Sequence, residues 1–495
     1  MTEMSNAKLL LKKYFEENSL VNTDINSFNR FVNEDLNKIL EENKVIEPTI
    51  IPPNVDEFKI QFDNIWVGKP EITEADGSKR DVYPMEARLR KLSYSAPIYL
   101  EVSAHIDGVQ RESFKLQIGN LPIMLKSQFC HLNGLTKDDL IKHGEDPSDP
   151  GGYFIINGSE KVLVKIEDLA ANRFMVEKEA IGVSDYVGKL FSERGSYKIP
   201  HELEKLKDGI FYLTFTRVKR IPVVLILKAL GMLKDSDIMK NIGLNDDNEV
   251  FVNLFEFVDV KDQEEALDLV AKKIGIAQAR EIRVARAQEI LDKYLFPHLG
   301  VTEENRLFKA SNICKYINTY IRITRGELPE TDKDHYANKR LKLSGDLLGD
   351  LLRVNIKVLI GDLLYNFQRI VKRGKIPSIK VIIREKLLTQ RIYSSMATGN
   401  WVGGRPGVSQ RLARQNFLDL LSALQRVVSP LSSTQENFEA RALHSTHLGR
   451  LCPSETPEGP NIGLRKNLAV LASVTHTVNE EELMKSLKKI GLEND

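Results

Sequence analysis

The sequence has little cysteine and no long apolar run. Its 495 residues include only Cys130, Cys314 and Cys452, which are far apart, so there is neither a disulfide framework nor a CxxC zinc pair. No window approaches the roughly 18 apolar residues that a membrane span requires. The first twenty residues carry Glu and Lys within their apolar stretch, unlike a secretory signal. These absences predict a cytoplasmic protein that does not interact with membranes.

An excess of charge of one sign is also absent. The chain has 70 Lys and Arg against 69 Asp and Glu, for a net charge of +1. This balance excludes a uniformly basic, histone-like protein and a strongly acidic one. A length of 495 residues predicts roughly three domains at about 150 residues each. Any surface that binds nucleic acid must therefore be a local patch.

Apolar periodicity indicates the classes of secondary structure. Helical spacing predicts amphipathic helices over residues 7–18 and 25–43, and one long helix over 339–373. From about residue 58, segments rich in β-branched and aromatic residues dominate, and the dipeptides Asp107-Gly108 and Asn157-Gly158 favour hairpin turns between them.

A change of pattern marks residues 166–325 as a second unit. A β-rich stretch at 211–227 precedes helical segments such as 262–274 and 285–296. The whole pattern predicts an α+β multidomain fold with mixed, largely antiparallel sheets and helices.

Positive charge is concentrated between residues 371 and 426. Eleven Lys and Arg face two acidic residues there, a net charge of +9. Such a patch is typical of sequence-independent nucleic-acid binding, because it neutralises phosphates and releases counterions. A solvated basic face is the competing interpretation. The basic residues are Lys372, Arg373, Lys375, Lys380, Arg384, Lys386, Arg391, Arg405, Arg411, Arg414 and Arg426.

Residues 407–428 have apolar side chains at helical spacing and predict a single amphipathic helix. Arg411 and Arg426 would lie on its outer face, with Arg414 at the edge. Glycines at 399, 403, 404 and 407 precede it, beside Arg405, and their backbone N–H groups could approach a phosphate. The segment is neither a Walker A motif nor a GxGxxG fingerprint, and a glycine-rich turn without a ligand is an equal alternative.

Residues 441–464 combine polar side chains with three prolines that stiffen the loop. Three interpretations compete. His444 and His447, with Cys452 or a Glu, could ligate zinc as in a zinc hydrolase, and Glu455 and Glu458 could form an acid/base pair. A hydrogen-bonded loop beside a nucleic-acid channel is favoured by the neighbouring basic stretch.

Several strings closely resemble one family. GNWVGGRPGVSQRLARQ, RLCPSETPEGPNIGL, LPIMLKSQFC, GGYFIINGSEKVLV and DKDHYANKRLKLSG are similar to the second-largest subunit of multisubunit DNA-directed RNA polymerase, in that family's order. The resemblance covers nearly the whole chain. Because the family's subunit is roughly twice as long, the chain most resembles the N-terminal half of the split archaeal subunit of methanogen type, B double-prime.

The resemblance implies a division into domains. It implies a protrusion over 1–165 and 326–395, interrupted by a lobe at 166–325. A fork region would follow at 396–475, with a C-terminal tail at 476–495.

The resemblance also implies the function. The chain would form one side of the DNA and hybrid channel of a nucleotidyltransferase that transcribes DNA into RNA from ribonucleoside triphosphates. It would carry no catalytic residue and bind no cofactor or metal, the Mg²⁺ being held by the largest subunit. We expect the isolated chain to be inactive.

Matched position by position, the resemblance implies contacts along the channel and at the fork loop. The implied partners are the C-terminal half of the second-largest subunit, the largest subunit and other polymerase subunits, the DNA template and the RNA–DNA hybrid. A stand-alone nucleic-acid-binding protein is the alternative. It predicts a stable monomer, whereas a split subunit predicts exposed apolar surface around 400–475. The implied contacts are Arg405, Arg411, Arg414, Arg426, Arg441, His447, Arg450, Glu455, Glu458 and Asn461.

Overall fold

The computed structural model describes residues 2–52, 55–179, 182–195, 197–216, 218–244, 248–374, 378–475 and 480–492. The chain divides into two compact units. The outer unit comprises Met1–Asp168 and Leu341–Asp495, and the inserted unit comprises Leu169–Arg340. The inserted unit thus starts and ends a little later than the 166–325 segment marked by the sequence pattern.

Helices occur in both units. Non-α segments are a π-helical turn at Phe31–Asp35 and 3₁₀ turns at Pro297–Leu299, Glu303–Asn305, Tyr336–Asn338 and Ser445–His447. The α-helices are α1 (Thr2–Glu17), α2 (Asn22–Arg30), α3 (Leu36–Glu41), α4 (Pro84–Leu89), α5 (Lys137–Lys142), α6 (Val223–Ala229), α7 (Asp235–Ile242), α8 (Asn248–Phe255), α9 (Gln263–Ile274), α10 (Arg280–Tyr294), α11 (Arg306–Thr324), α12 (Ser344–Val371), α13 (Ile379–Ile382), α14 (Glu385–Thr398), α15 (Phe417–Gln425), α16 (Phe438–Arg441) and α17 (Glu480–Ile490).

The strands form mixed, mostly antiparallel sheets, which confirms the predicted α+β class. They are β1 (Val45–Ile46), β2 (Phe58–Val67), β3 (Glu71–Thr73), β4 (Lys79–Asp81), β5 (Ser95–Ile106), β6 (Val109–Pro122), β7 (Phe154–Ile156), β8 (Ser159–Leu163), β9 (Lys165–Leu169), β10 (Phe174–Lys178), β11 (Tyr186–Arg194), β12 (Tyr197–Lys205), β13 (Phe211–Phe215), β14 (Val218–Pro222), β15 (Lys339–Lys342), β16 (Ser409–Arg411), β17 (Arg426–Val428) and β18 (Arg465–Asn467).

The outer unit is built on the antiparallel sheet β1-β2-β5-β6 and the long helix α12. The Asp107-Gly108 turn joins β5 to β6 with φ of +49° and +78°, and Asn157-Gly158 joins β7 to β8 with φ of +51° and +74°. Both predicted hairpins are confirmed, because Asn or Asp followed by Gly tolerates two left-handed residues. Among the described helices, none is long and apolar enough to cross a bilayer.

Helix α12 lies against the N-terminal helices. At Gly345 a Cβ atom would stand 2.2 Å from the Ser27 carbonyl oxygen, so only glycine permits this close approach of α12 to α2. The apolar face of α12 then contributes Leu347, Leu351 and Phe367 to the core of the outer unit. The predicted long helix is confirmed over Ser344–Val371, whereas Lys339–Lys342, predicted as its start, form strand β15.

The inserted unit has a core of its own. Strands β10 to β14 form an antiparallel meander, and helices follow it. Helix α9 buries Ala266, Leu267, Val270 and Ala271, which lie on one face at helical spacing. The predicted β-rich stretch at 211–227 is partly wrong: strand β14 ends at Pro222, and Val223–Ala229 form helix α6, in which every residue is buried.

The single helix predicted over 407–428 is wrong. Residues Ser409–Arg411 form strand β16, which pairs with β8, and Arg426–Val428 form strand β17. Helix α15 occupies only Phe417–Gln425 between them. Asn416 caps it, its side-chain oxygen accepting from the Asp419 N–H at 2.8 Å, because Asn favours the extended cap position over the helix interior.

Candidate nucleic-acid interface

The glycine-rich turn before β16 has four residues in the left-handed backbone conformation. Gly399, Gly403, Gly404 and Gly407 all have φ between +71° and +80°. A Cβ at Gly399 would stand 2.6 Å from the Ser409 carbonyl, whereas Cβ atoms at the other three would point into open space. The open backbone at 403, 404 and 407 is therefore accessible to a ligand.

Arg405 in this turn is held within the chain. Its Nη2 lies 2.8 Å from Asp168 Oδ2. The buried Trp401 indole donates to the Leu347 carbonyl at 2.8 Å, and the Trp401 N–H donates to the Arg405 carbonyl at 2.8 Å. The turn is thus fixed to α12 and places Arg405 against an acidic residue.

Arg414 is exposed, but it belongs to a charge network whose carboxylates are largely buried. Its Nη2 donates to Asp149 Oδ2 at 2.7 Å and to the Tyr153 hydroxyl at 2.8 Å, and its guanidinium also pairs with Glu160. Arg88 meets the same Glu160 at 2.8 Å and the same hydroxyl at 2.9 Å.

Arg88 also binds Glu145 through two contacts of 2.8 Å. Two arginines therefore face three carboxylates, and the network carries no excess positive charge.

The ionisation of this network follows from its contacts. Burial raises the pKa of Asp149, but hydrogen bonds from Arg414, the Gly151 N–H and Tyr153 outweigh it, so this pKa lies below its ordinary value. Burial raises the pKa of Tyr153, which keeps its hydroxyl protonated as a donor to Asp149. The network is therefore a stable framework that fixes the loop after β16 to the hairpin β7–β8.

Arg411 differs from Arg414 in its contacts. It ends strand β16 opposite Lys161 on β8 and is exposed. Within the described part of the chain, no hydrogen-bond or ion-pair partner approaches its guanidinium. It borders an open groove that is also lined by Arg88, Glu160, Arg414 and Gln415.

The local count of +9 overstates the field of the basic stretch. Arg384 pairs with Asp362, Arg405 with Asp168, and Arg414 with Asp149 and Glu160, and all four acids lie outside residues 371–426. Arg391 donates to the Asn355 amide oxygen at 2.7 Å. Lys375 lies outside the described residues. The remaining cations with no acidic partner among the described residues are Lys372, Arg373, Lys380, Lys386, Arg411 and Arg426.

Strand β17 connects the basic stretch to the C-terminal loop. It pairs in parallel with β9 and antiparallel with β18, and half-buried Arg426 lies opposite Asn467. Two buried ion pairs fix this sheet: Lys165 reaches Asp24 at 2.6 Å, and Lys466 reaches Glu167 at 3.1 Å.

Burial raises the pKa of Asp24, with the Lys165 ammonium opposing. Lys165 also donates to the Leu424 carbonyl at 2.7 Å, which fixes the end of α15.

Arg441 holds the C-terminal loop together. Its guanidinium donates to the carbonyls of Pro460 at 2.7 Å, Ile462 at 3.0 Å, Ser433 at 3.0 Å and Gln435 at 3.1 Å. The backbone of Arg441 is so close to Gly463 that a Cβ there would stand 2.2 Å from the Arg441 carbonyl oxygen. Arg441 thus joins three segments of the loop.

The two histidines form a local turn. His447 is buried, and its Nδ1 accepts from the His444 N–H at 3.4 Å. His444 Nδ1 lies 2.7 Å from the Thr446 hydroxyl. In the part of the chain that the structure describes, no three His, Cys, Asp or Glu side chains are grouped so that they could hold a metal. The geometry gives the zinc interpretation no support.

The remaining predicted contacts lie around the same loop. Glu455 is exposed and accepts from the Ser422 hydroxyl at 2.6 Å, which ties it to α15. Glu458 is exposed, whereas Asn461 is half-buried and its carbonyl accepts from the Leu464 N–H at 3.1 Å. Arg450 is exposed and donates to the Thr446 carbonyl at 3.0 Å.

Glu455 and Glu458 are both exposed, and nothing in the described geometry favours the acid/base interpretation over a loop surface.

Apolar side chains are exposed throughout this region, as expected for a chain that needs a partner. Phe438 is 79% exposed and Leu418 is 75% exposed. Other exposed large apolar side chains are Phe417, Leu431, Leu443, Leu448, Ile462, Val470 and Leu471.

The acidic residues that bind Arg88 and Arg414 were not predicted from the sequence. Glu145, Asp149 and Glu160 lie more than 250 residues before Arg414, and no local spacing connects them. The one available signal is that Glu160 belongs to the GGYFIINGSEKVLV string.

Known proteins match nearly the entire chain. A family model described as RNA polymerase beta subunit matches residues 19–390, and one described as RNA polymerase Rpb2, domain 3, matches residues 410–474. The chain is 44% identical over 496 aligned positions to the DNA-directed RNA polymerase subunit Rpo2N of Methanocaldococcus jannaschii, covering 98% of each chain. It is 39% identical to Rpo2N of Halobacterium salinarum, covering 98% of this chain and 95% of that one.

Longer relatives match as well. The chain is 43% identical over 487 residues to the DNA-directed RNA polymerase subunit Rpo2 of Saccharolobus solfataricus, covering 98% of this chain and 43% of the relative. It therefore spans less than half the length of the Rpo2 subunits it matches. The resemblance seen in the sequence is confirmed: the chain belongs to the RNA polymerase beta-subunit family.

Proposed function

We propose that the chain is a noncatalytic subunit of an archaeal DNA-directed RNA polymerase, equivalent to the N-terminal half of the second-largest subunit. The observation that carries this proposal is the alignment with Rpo2N of Methanocaldococcus jannaschii over 98% of both chains. In this assignment the outer unit supplies the protrusion and the fork, and the inserted unit supplies the lobe. Its partners are the rest of the second-largest subunit, the largest subunit and other polymerase subunits.

The chain acts by holding nucleic acid. Arg411 and Arg450 are exposed and form no ion pair among the described residues, so their charge is available to phosphates of the template or the hybrid. The guanidinium groups of Arg405, Arg414 and Arg441 donate to groups of the same chain and thereby fix the loops that carry the exposed residues. A rigid wall of this kind keeps the template aligned for in-line attack without reorganisation.

The chemistry of nucleotide addition is supplied by Mg²⁺ in the largest subunit. The contribution of this chain is to bind and orient.

A transcription assay with omitted components tests the proposal. The purified chain, given template, ribonucleoside triphosphates and Mg²⁺, is expected to make no RNA. An assembly of the remaining subunits is expected to regain synthesis only when this chain is added. RNA synthesis by the chain alone, or full synthesis by the assembly without it, would refute the proposal.

The alternative of a stand-alone nucleic-acid-binding protein makes a different prediction. Such a protein would be a monomer that binds nucleic acid strongly without partners. The exposed Phe438 and Leu418 weigh against it, because a free monomer rarely leaves so many large apolar side chains in water.

A further inference from the structure

Helix α17 is an amphipathic helix that buries none of its residues against the part of the chain that the structure describes. All eleven of its residues are exposed, including Leu483, Met484, Leu487 and Ile490, which are 47%, 42%, 37% and 83% exposed. At 100° per residue, Leu483, Leu487 and Ile490 lie within one narrow stripe, with Met484 at its edge. We call these four residues the α17 stripe.

The opposite face of α17 is charged. Glu481, Lys485, Lys488 and Lys489 project away from the stripe, and three glutamates occupy the first turn while lysines occupy the last. This arrangement complements the helix dipole and helps the helix to form. An isolated helix of eleven residues is nevertheless marginal in water, so burial of the stripe is the main stabilisation available to it.

The exposure is part of a larger pattern at this end of the outer unit. Of the 36 exposed large apolar side chains among the described residues, 14 lie between Phe417 and Leu492. Val470 and Leu471, just before α17, are 66% and 62% exposed. The alignment of this chain with the Rpo2 subunit of Saccharolobus solfataricus covers 43% of that subunit. More than half of that polypeptide therefore lies outside the match and is available to cover such a surface.

We propose that the α17 stripe is the docking element for the part of the second-largest subunit that lies outside this match. The partner surface would be an apolar groove, because the stripe carries no charge and offers only aliphatic and thioether side chains. The inference rests on the proposed function and identifies one contact by which the two parts are held together.

The test uses the full chain and the remaining part of the second-largest subunit, produced as a separate polypeptide from the same organism. A double variant, L483Q with L487Q, replaces two stripe residues. The matched control, K485Q with K489Q, places the same residue on the opposite face. Gln has good helix propensity, so both variants retain the intrinsic tendency to form the helix.

Binding is measured by titration, and hydrogen exchange at residues 483–490 is followed with and without the partner. The stripe variant is expected to bind about tenfold to a hundredfold more weakly than the wild type, since two Leu side chains lose their burial. The control variant is expected to bind within about twofold of the wild type, because exposed charges contribute little. Amides of α17 are expected to become protected when the partner binds.

The outcomes separate the two proposals. The docking role would be overturned if the stripe variant bound as tightly as the wild type, or if hydrogen exchange in α17 did not change when the partner was added. Either result would leave the polymerase assignment in place. A wild-type chain that binds no polymerase subunit would overturn the assignment itself. Self-association of the wild type that the stripe variant abolishes would show that a second copy covers the stripe, which also overturns the inference.

Discussion

Arg411 and Arg414 lie three residues apart, yet one is a surface charge and the other a framework residue. Arg414 donates to Asp149, Tyr153 and Glu160, whereas Arg411 forms no ion pair among the described residues. Arg411 is the last residue of strand β16, whereas Arg414 lies in the following loop, within reach of Asp149, Tyr153 and Glu160. Identical side chains in one basic stretch therefore have different roles.

Substitution by Met separates these roles. Arg414→Met removes the charged hydrogen bonds to buried Asp149 and to Glu160, and we expect it to lower the free energy of unfolding by about 1–3 kcal/mol. Arg411→Met is expected to change it by less than about 0.5 kcal/mol. Urea unfolding followed by tryptophan fluorescence measures both. Equal losses for the two variants would contradict the distinction.

His201 in the inserted unit makes stability depend on pH. Its ring stacks on Phe296 at 4.4 Å, its Nε2 accepts from the Phe296 N–H at 3.1 Å, and its Nδ1 lies 3.1 Å from the Ile199 carbonyl. These contacts suit the neutral ring with its proton on Nδ1. Burial lowers the pKa of His201 to about 4 from an ordinary value of 6.5, with the Ile199 carbonyl opposing.

Because the pKa of His201 is lower in the folded chain than in the unfolded chain, the unfolded chain takes up a proton first as the pH falls. Stability of the inserted unit is expected to decline from about pH 6.5 to pH 4, by about 3 kcal/mol in total, and to change no further from this residue below pH 4. Hydrogen exchange in β12, corrected for intrinsic rates, measures the decline. His201→Gln is expected to flatten it, and an equally steep decline in that variant would assign it to other groups.

At the scale of elements, the C-terminal loop depends on one close approach of backbone. Gly459 and Gly463 both have positive φ, +84° and +71°. A Cβ at Gly459 would meet nothing within 4 Å, whereas at Gly463 it would collide with the Arg441 carbonyl. The loop can therefore accommodate a side chain at one position but not at the other.

Alanine at each position measures that difference. Gly459→Ala is expected to cost about 1 kcal/mol, the strain of a left-handed residue. Gly463→Ala is expected to cost about 1–3 kcal/mol more, because the collision must push Arg441 away from its four carbonyls. Protease cleavage between residues 433 and 463 should rise in the second variant only. Similar cleavage in both would show that the close approach does not hold the loop.

Sequence patterns located elements well where local rules decide. The long helix α12 and the Asp107-Gly108 and Asn157-Gly158 hairpins follow from periodicity and turn chemistry. The prediction of one helix over 407–428 was wrong because both ends of this segment pair with other strands, β16 with β8 and β17 with β18, despite their helical spacing of apolar residues.

The candidate site was less predictable than the elements. The partners of Arg405 and Arg414 come from residues 149–168, and no local count of charge includes them. Contact of the ten predicted residues with nucleic acid stays a prediction.

At the scale of the whole molecule, each unit has its own apolar core. The core of the outer unit includes Phe28, Phe154 and Leu351, and that of the inserted unit includes Phe211, Leu227 and Ile317. The ends of the inserted unit are joined by a hydrogen bond of 2.8 Å from the Ala170 N–H to the Asn338 carbonyl. Separate cores with adjacent ends favour independent folding.

Two probes test this independence. Both tryptophans of the chain, Trp66 and Trp401, lie in the outer unit, so their fluorescence reports only its unfolding. Circular dichroism reports both units. We expect fluorescence and circular dichroism to give urea transitions that do not coincide. The fragment 169–340, produced alone, is expected to unfold in the transition that only circular dichroism detects. Coincident transitions, together with an unfolded fragment, would show one cooperative unit.

Photo-crosslinking in the assembled polymerase most directly tests the claim that this chain grips nucleic acid through arginines beside a rigid framework. A photoreactive residue is placed at position 411 or 450 in the complex bound to template and nascent RNA, and at position 255, exposed on the inserted unit, as a control. We expect adducts to DNA or RNA from 411 and 450, in yields that fall as salt rises. Adducts from both positions to protein only, in a complex that is actively transcribing, would contradict that claim.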